Sequence, residues 1–144
     1  HLSANGRALT GADTLIAEGH ANNLRFERLL TRGGLTGVAF ALRFHLHPDV
    51  DATLDMGGSA VSLVLKSSEI WVFRHDGHAR LSLEPSVYLE KGRLKPRPTR
   101  QIVLSARAME LETQIGWTLA KAQDTPAAIR DTEQDDPLSL TQGK

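Results

Sequence analysis

One segment, Gly37–His47, constrains the fold of this chain more than any other. Its residues fall into two alternating sets: the apolar Val38, Phe40, Leu42, Phe44 and Leu46, and the small or basic Ala39, Ala41, Arg43, His45 and His47. Successive side chains of a β-strand point to opposite faces, so this alternation predicts a strand with one buried face and one solvated face. Strands of this kind are typical of antiparallel sheets.

Similar short segments recur along the chain. Further strands are predicted at Arg7–Ile16, Ala60–Leu65, Glu69–Arg74, Arg80–Leu89, Arg100–Ala106 and Glu112–Lys121. Asn5-Gly6 and Asp76-Gly77 predict tight hairpin turns between strands. Pro85 requires an edge position, a bulge or a bend in its strand.

Glu18–Asn23 is interpreted as a loop, and no long helix is predicted. Seven or eight short strands separated by turns indicate an all-β sandwich or barrel. We expect an antiparallel β-sandwich, because only half of each strand is apolar and one face of each sheet would meet the core.

The composition limits the classes of function. Lys and Arg total 17, as do Asp and Glu, so the formal charge is zero and neither nucleic acid nor an acidic membrane is expected as a partner. The absence of cysteine excludes disulfides and thiolate metal sites. The longest apolar stretch, Val38–Leu42, is far too short for a membrane span.

The ends of the chain suggest its domain organisation. His1-Leu2 resembles the end of a strand, so we expect a partial domain of a larger protein. Residues 1–121 form the predicted sandwich. Residues 122–144 contain two prolines and no sustained period, which predicts a disordered tail or a linker.

Arg43, His45 and His47 project from one face of the predicted strand. Two imidazoles at this spacing could ligate a divalent metal, and a histidine beside an arginine could act as acid or base on an anionic sugar. The solvated face of an antiparallel sheet explains the pattern as well, and it is favoured because no third ligand is evident. A third ligand could come, for example, from His75, Asp76 or His78, but these lie on a tight turn, and turn geometry alone explains Asp76-Gly77.

A basic loop is the second candidate site. It contains Arg93, Lys95, Arg97 and Arg100, which could contact an anion or an acidic polysaccharide, or simply keep the loop soluble. Trp71 and Trp117 could stack on sugar rings, although Trp117 is expected in the core. Glu84 has no second carboxylate placed near it by the sequence.

Several stretches resemble the C-terminal β-sandwich region of heparinase II/III-like proteins, especially those of alphaproteobacterial type. They occur in the family's order at Leu2–Asp13, Phe40–Pro48, Trp71–Phe73, Leu83–Tyr88, Arg100–Leu104 and Ile115–Trp117. The most specific of these is Arg-Phe-His-Leu-His-Pro at 43–48.

The resemblance implies a parent protein with an α-helical toroid domain followed by the β-sandwich. Such proteins are polysaccharide lyases that cleave uronic-acid-containing chains by β-elimination, with Tyr and His side chains as base and acid. The implied partners are an acidic polysaccharide and the toroid domain of the same parent. A periplasmic or cell-envelope location of that parent is a further expectation; the chain itself contains no targeting signal.

The family's catalytic Tyr and one catalytic His belong to the helical domain, and its metal-binding segment belongs to the first part of the β region. Neither matches this chain, and Tyr88 does not lie in the catalytic motif. We therefore assign no catalytic residue, metal ligand or cofactor here; any divalent metal of the parent would be bound by residues outside this chain.

The predicted function is a structural, cleft-forming module that is inactive alone. Weak contacts to acidic glycan are predicted for Arg43, His45, His47, Arg93, Arg97 and Arg100. One alternative is a stand-alone carbohydrate-binding β-sandwich, which needs Trp71 or Tyr88 as an exposed aromatic platform. A third hypothesis is an enzyme that uses His45 and His47 as metal ligands.

Overall fold

Two antiparallel sheets face each other in the computed structural model, which describes residues 1–92 and 94–122. In chain order the strands are β1 (Ala8–Ile16), β2 (Val38–His45), β3 (Asp51–Asp55), β4 (Ala60–Val64), β5 (Ile70–His75), β6 (Arg80–Tyr88), β7 (Arg97–Ala108) and β8 (Glu112–Lys121). The helix α1 (His20–Arg32) follows β1, and a 3-10 turn (Met56–Gly58) follows β3. One sheet has the order β1-β8-β5-β4-β3, and the other has the order β2-β7-β6.

The core lies between the two sheets. Val61, Phe73 and Ile115 of the five-stranded sheet are fully buried against Ile102 and Leu104 of β7. Phe44 of β2 lies with its ring centroid 5.0 Å from that of Phe73 and 5.2 Å from that of Trp117, so rings from both sheets interlock. The predicted antiparallel β-sandwich is confirmed.

Most of the predicted strands are confirmed within a few residues, and Glu112–Lys121 is confirmed at both ends. The Asn5-Gly6 turn brings Leu2 opposite Leu9, as predicted, although only Gly6 takes a positive φ. Pro85 lies in β6, an edge strand, where its missing N–H does no harm to the ladder.

The predicted hairpin at Asp76-Gly77 is wrong, because this turn carries the chain from β5 in one sheet to β6 in the other. A carboxylate explains the difference. Oδ2 of Asp76 accepts the Gly116 N–H at 2.6 Å, and its Oδ1 accepts the His78 N–H at 3.0 Å. The turn is thereby attached to β8, and only Gly77 takes a positive φ.

The prediction of a loop at Glu18–Asn23 and of no long helix is also wrong, since α1 begins at His20. The helix has no side-chain cap at its N-terminus, and its first turn has no acidic residue, so the usual start signals are missing. Phe26, Leu29 and Leu30 do have helical spacing, but none of the α1 residues is buried.

β3 was not predicted because its sequence, Asp-Ala-Thr-Leu-Asp, places only Ala52 in the core. The predicted tail from residue 123 onward lies outside the described residues, as does Arg93. Within the part of the chain that is described, no helix has the length and apolar character needed to cross a membrane.

Candidate functional site

The register of the three-stranded sheet brings two of the predicted site residues together on its outer face, away from the core. Residues directly opposite each other in an antiparallel ladder share a face. The outer face therefore contains the row Arg43, Val103 and Ser82, and next to it the row His45, Gln101 and Glu84. Residues of β6 thus stand beside residues of β2, with β7 between them.

An ion pair crosses the central strand of this face. Nη1 of Arg43 lies 3.1 Å from Oε2 of Glu84, and Ser82 Oγ donates to Oε1 of the same carboxylate at 3.1 Å. Val103 of the central strand β7 lies between β2 and β6, and it is only 1% exposed although its side chain is on the outer face. Both charged side chains are almost half exposed, so the pair is worth at most about 1 kcal/mol. Its main effect is to balance the charge of Arg43.

The two imidazoles have separate partners. Nδ1 of His45 lies 3.1 Å from the Ser86 hydroxyl oxygen. The His47 ring stands edge-on to Tyr88, with centroids 4.9 Å apart, and its Nδ1 accepts the Asp49 N–H at 3.2 Å. Since Nδ1 of His47 is an acceptor here, the proton of the neutral ring belongs on Nε2.

A metal site at these histidines lacks its third ligand. Among residues 1–92 and 94–122, no three His, Cys, Asp or Glu side chains are grouped closely enough to hold an ion. His75 and Asp76 each accept a backbone N–H of their own turn, at 3.1 and 3.0 Å. The geometry therefore gives no support to the hypothesis of a metalloenzyme built on His45 and His47.

Asp49 joins three segments at one end of the sandwich. Its carboxylate lies 2.7 Å from Nζ of Lys66 in the β4–β5 turn and 2.9 Å from Nη2 of Arg97 at the start of β7. The hydrogen bonds from Lys66 and Arg97 lower the pKa of Asp49 from 3.8 to about 2. Arg97 also lies 3.8 Å from Glu90, so this predicted glycan contact is engaged by two carboxylates of the chain itself.

The basic loop does not form one cationic surface in the described residues. Arg97 and Arg100 both lie on β7, three residues apart and therefore on opposite faces. Nη1 of Arg100 reaches the carbonyl oxygen of Ala52 in the other sheet at 3.4 Å. Arg93 lies outside the described residues.

A shallow depression of about 520 Å³ lies at the other end of the outer face. Its floor consists of small side chains, Ala39, Ala41 and Ser105, and Arg80 and Arg107 stand at its rim. Nη1 of Arg107 donates to the carbonyl of Gly37 at 3.0 Å, whereas Arg80 has no hydrogen bond or ion pair with the described residues.

Arg80, Ser82 and Ser86 were not predicted from the sequence as outer-face residues. The signal was present, because Ser82, Glu84 and Ser86 alternate with Leu81 and Leu83 as the β2 residues do. The residue pattern does not contain the strand order, which places this alternating segment of β6 in the same sheet as that of β2, with β7 between them.

The two candidate sugar-stacking residues are not exposed platforms. Trp71 packs against the core cluster, as does Trp117, which confirms the core expectation for Trp117. Tyr88 is half-buried against His47. The outer face therefore offers hydroxyl, amide, imidazole and guanidinium groups, which suit hydrogen bonds to sugar hydroxyls and to an occasional carboxylate.

Comparison with known proteins gives two findings. A family described as heparinase II/III-like, C-terminal, matches residues 1–118. The chain is 31% identical over 112 residues to a protein of Caulobacter vibrioides named FtsZ-localized protein C. That alignment covers 77% of this chain and 19% of the relative, so the chain spans about a fifth of the relative's length. No solved structure matches the chain.

Proposed function

The chain belongs to the family of heparinase II/III-like C-terminal domains, and we propose that it is a non-catalytic β-sandwich module of a polysaccharide lyase. The family match carries this proposal, because it covers β1 to β7 entirely and most of β8. Membership makes the chain a polysaccharide lyase-related module. The β-elimination of uronate polymers, with base and acid supplied by another part of the protein, is the finer part of the proposal.

The outer face of the three-stranded sheet is the surface proposed to line the glycan cleft. It is long and polar, and Arg43 and Arg97 are balanced by Glu84, Asp49 and Glu90, so that its unpaired cations are Arg80 and Arg107 at one end, among the described residues. Such a surface favours many neutral hydrogen bonds over strong attraction to a polyanion. His45 and Arg80 are among the polar groups of this face with atoms left for a ligand.

A comparison of lyase activity tests this proposal. The 144-residue chain and the natural longer protein that contains it are incubated with a panel of uronate polymers, such as heparan sulfate and alginate. Ultraviolet absorbance then follows the unsaturated product. We expect product from the longer protein and none from the chain alone. Product from the chain alone would contradict the non-catalytic role and would direct attention to His45 and His47.

A His45→Ala variant of the longer protein separates contact from catalysis. If the outer face binds glycan, KM rises several-fold while kcat changes little, since the loss affects substrate and transition state alike. Ser67→Ala, at an exposed turn residue of the β4–β5 connection, is the control. A fall of kcat by orders of magnitude in His45→Ala would make His45 part of the acid–base machinery instead.

The similarity to the Caulobacter protein favours a second candidate function, in which the sandwich serves protein localisation. The name of that protein refers to localisation with FtsZ and does not mention lyase activity. Co-sedimentation of the chain with polymerised FtsZ tests this candidate. Sedimentation that depends on FtsZ polymer would favour it, and equal sedimentation with and without FtsZ would remove it.

A further inference from the structure

The outer edge of β1 is only half occupied. Thr10 and His1 exchange both backbone hydrogen bonds, at 2.8 Å each, and the Ser3 N–H bonds to the Ala8 carbonyl at 2.8 Å. Residues 1–3 therefore pair in antiparallel orientation with the first third of β1. Beyond Thr10, the edge from Gly11 to Ile16 has no partner among the described residues.

The hydrogen-bond pattern shows which amides of β1 are free. In an antiparallel ladder, alternate residues bond to opposite neighbours. Thr10 bonds outward to His1, whereas the Ala17 N–H bonds inward to the Leu111 carbonyl at 2.8 Å. By this alternation, the N–H groups of Ala12, Thr14 and Ile16 point away from β8, and no strand of the described residues lies there to accept them.

An apolar groove of about 340 Å³ lies at the Ile16 end of this free edge. Its apolar lining includes Leu15, Ile16, Phe26, Leu29, Val38 and Leu111, contributed by β1, α1, β2 and the β7–β8 turn. Ile16 is 57% exposed and Leu29 48%. A helix that buries none of its residues against its own domain has an apolar side available for another element.

The register connects the free edge with the groove. A strand that continues N-terminal to His1 would pair with β1 residue by residue in the direction of Ile16. The six residues from Gly11 to Ile16 cover roughly 20 Å, at the end of which such a strand would reach the groove.

We propose that the Gly11–Ile16 edge and the apolar groove beside α1 form the docking surface for the polypeptide segment that precedes His1 in a longer protein. That segment pairs antiparallel with β1 and places apolar side chains against Phe26 and Leu29. The inference rests on the proposed module being part of a longer protein, which agrees with the chain spanning 19% of its curated relative. It does not depend on lyase activity.

Amide hydrogen exchange measured by NMR tests the proposal on the 144-residue chain and on the natural longer protein. In the chain, Ala12, Thr14 and Ile16 should exchange rapidly, and in the longer protein at least about 100-fold more slowly. Asp13 and Leu15, whose N–H groups face β8, are internal controls that should be protected in both. Rapid exchange at the three sites in both proteins overturns the proposal. A gene whose reading frame starts at His1 would overturn it as well, because no segment would then precede His1.

A proline pair gives a second, independent measurement. Thr14→Pro removes an outward N–H and the exposed hydroxyl that accepts from Gln114 Nε2 at 3.2 Å, but no N–H of the β8 ladder, so the 144-residue chain should keep its melting temperature within a few degrees. In the longer protein the same change should abolish the slow exchange at Ala12 and Ile16. Leu15→Pro, which breaks the β8 ladder, should destabilise both proteins. Equal, small effects of Thr14→Pro in both proteins contradict the proposal.

Two further outcomes are distinguishable. Protection of the three amides that rises with concentration of the 144-residue chain means that a second copy occupies the edge, and this overturns the proposal. Slow exchange in a longer protein without lyase activity supports the docking surface while removing the proposed function.

Discussion

At the residue scale, Asp49 shows how one carboxylate can hold loops of both sheets together. Lys66 comes from the five-stranded sheet and Arg97 from the three-stranded sheet, and both donate to Asp49 in the turn between β2 and β3. Loss of this carboxylate would leave two cations facing each other at the end of the sandwich.

Asp49→Asn should change how stability depends on pH. A carboxyl with a lower pKa in the folded protein stabilises the fold above its unfolded pKa, and this contribution is lost as pH falls through the folded pKa. For Asp49 the window runs from 3.8 down to about 2. Urea unfolding should show the variant to be less stable at pH 7, with the difference narrowing toward the lower end of that window.

Asp51→Asn is the matched control for that experiment, because Asp51 is exposed and forms no ion pair with the described residues. It should leave stability nearly unchanged at pH 7. A destabilisation by Asp49→Asn that stays constant across the acidic range would mean that packing, and not charge, makes Asp49 important.

Gly11 is required by its neighbour Trp117. A Cβ at Gly11 would lie 2.3 Å from the nearest atom of the Trp117 indole, which also donates to Asp13 at 2.8 Å. Gly11→Ala should cost about 1–3 kcal/mol, because the indole must move from its contact with Phe44. Chemical denaturation followed by tryptophan fluorescence measures the loss. Ala12→Ser, one residue further and solvent-facing, should have little effect, and equal effects would contradict the steric explanation.

At the element scale, β6 is an edge strand, and Pro85 limits the pairing of its free side with another strand. Pro85→Val would give this edge an N–H and a β-branched side chain, both of which favour pairing with a second molecule. Light scattering should show self-association that increases with concentration. Pro85→Lys restores the same N–H but adds a charge, so it should stay monomeric. A monomeric Pro85→Val would show that the proline does not protect the edge.

The strands were predictable where hydrophobic alternation was long, as in β2 and β8. The helix α1 was not, because its apolar side is left unburied by the described chain and its start has no capping signal. The Asp76-Gly77 turn was wrongly predicted to be a hairpin, because the contact that decides its geometry is distant in the sequence. Its local chemistry allows a hairpin, but the Asp76 bond to Gly116 on a distant strand decides the direction of the chain.

The candidate site was predictable only in part. The alternation in β2 gave Arg43 and His45 a common face, but not Glu84 and Ser86 as their partners. Likewise, the sequence indicated Arg97 as a free cation of the basic loop. In the structure it pairs with the Asp49 carboxylate, which is 48 residues away in the sequence. Partners this far apart depend on sheet order and register, which the residue pattern of one strand does not contain.

At the scale of the whole molecule, the chain combines zero formal charge with two internally paired cations, Arg43 and Arg97, on its proposed glycan face. Polyanion binding depends on the number of cations that are free to replace counterions. If the outer face binds acidic glycan as proposed, we expect the pairing of Arg43 with Glu84 to limit the affinity.

Glu84→Gln should increase retention of the chain on immobilised heparin, because it releases Arg43 while the amide can still accept from Ser82. Glu27→Gln on α1 makes the same change in net charge, at an exposed residue without an ion pair among the described residues, and so serves as the control. The salt concentration at elution should rise more for Glu84→Gln than for Glu27→Gln. The double variant Arg43→Gln, Glu84→Gln should no longer show the extra retention that Glu84→Gln has over Glu27→Gln. Equal shifts for the two single variants would show that net charge alone governs retention, and would leave the outer face without a specific part in glycan binding.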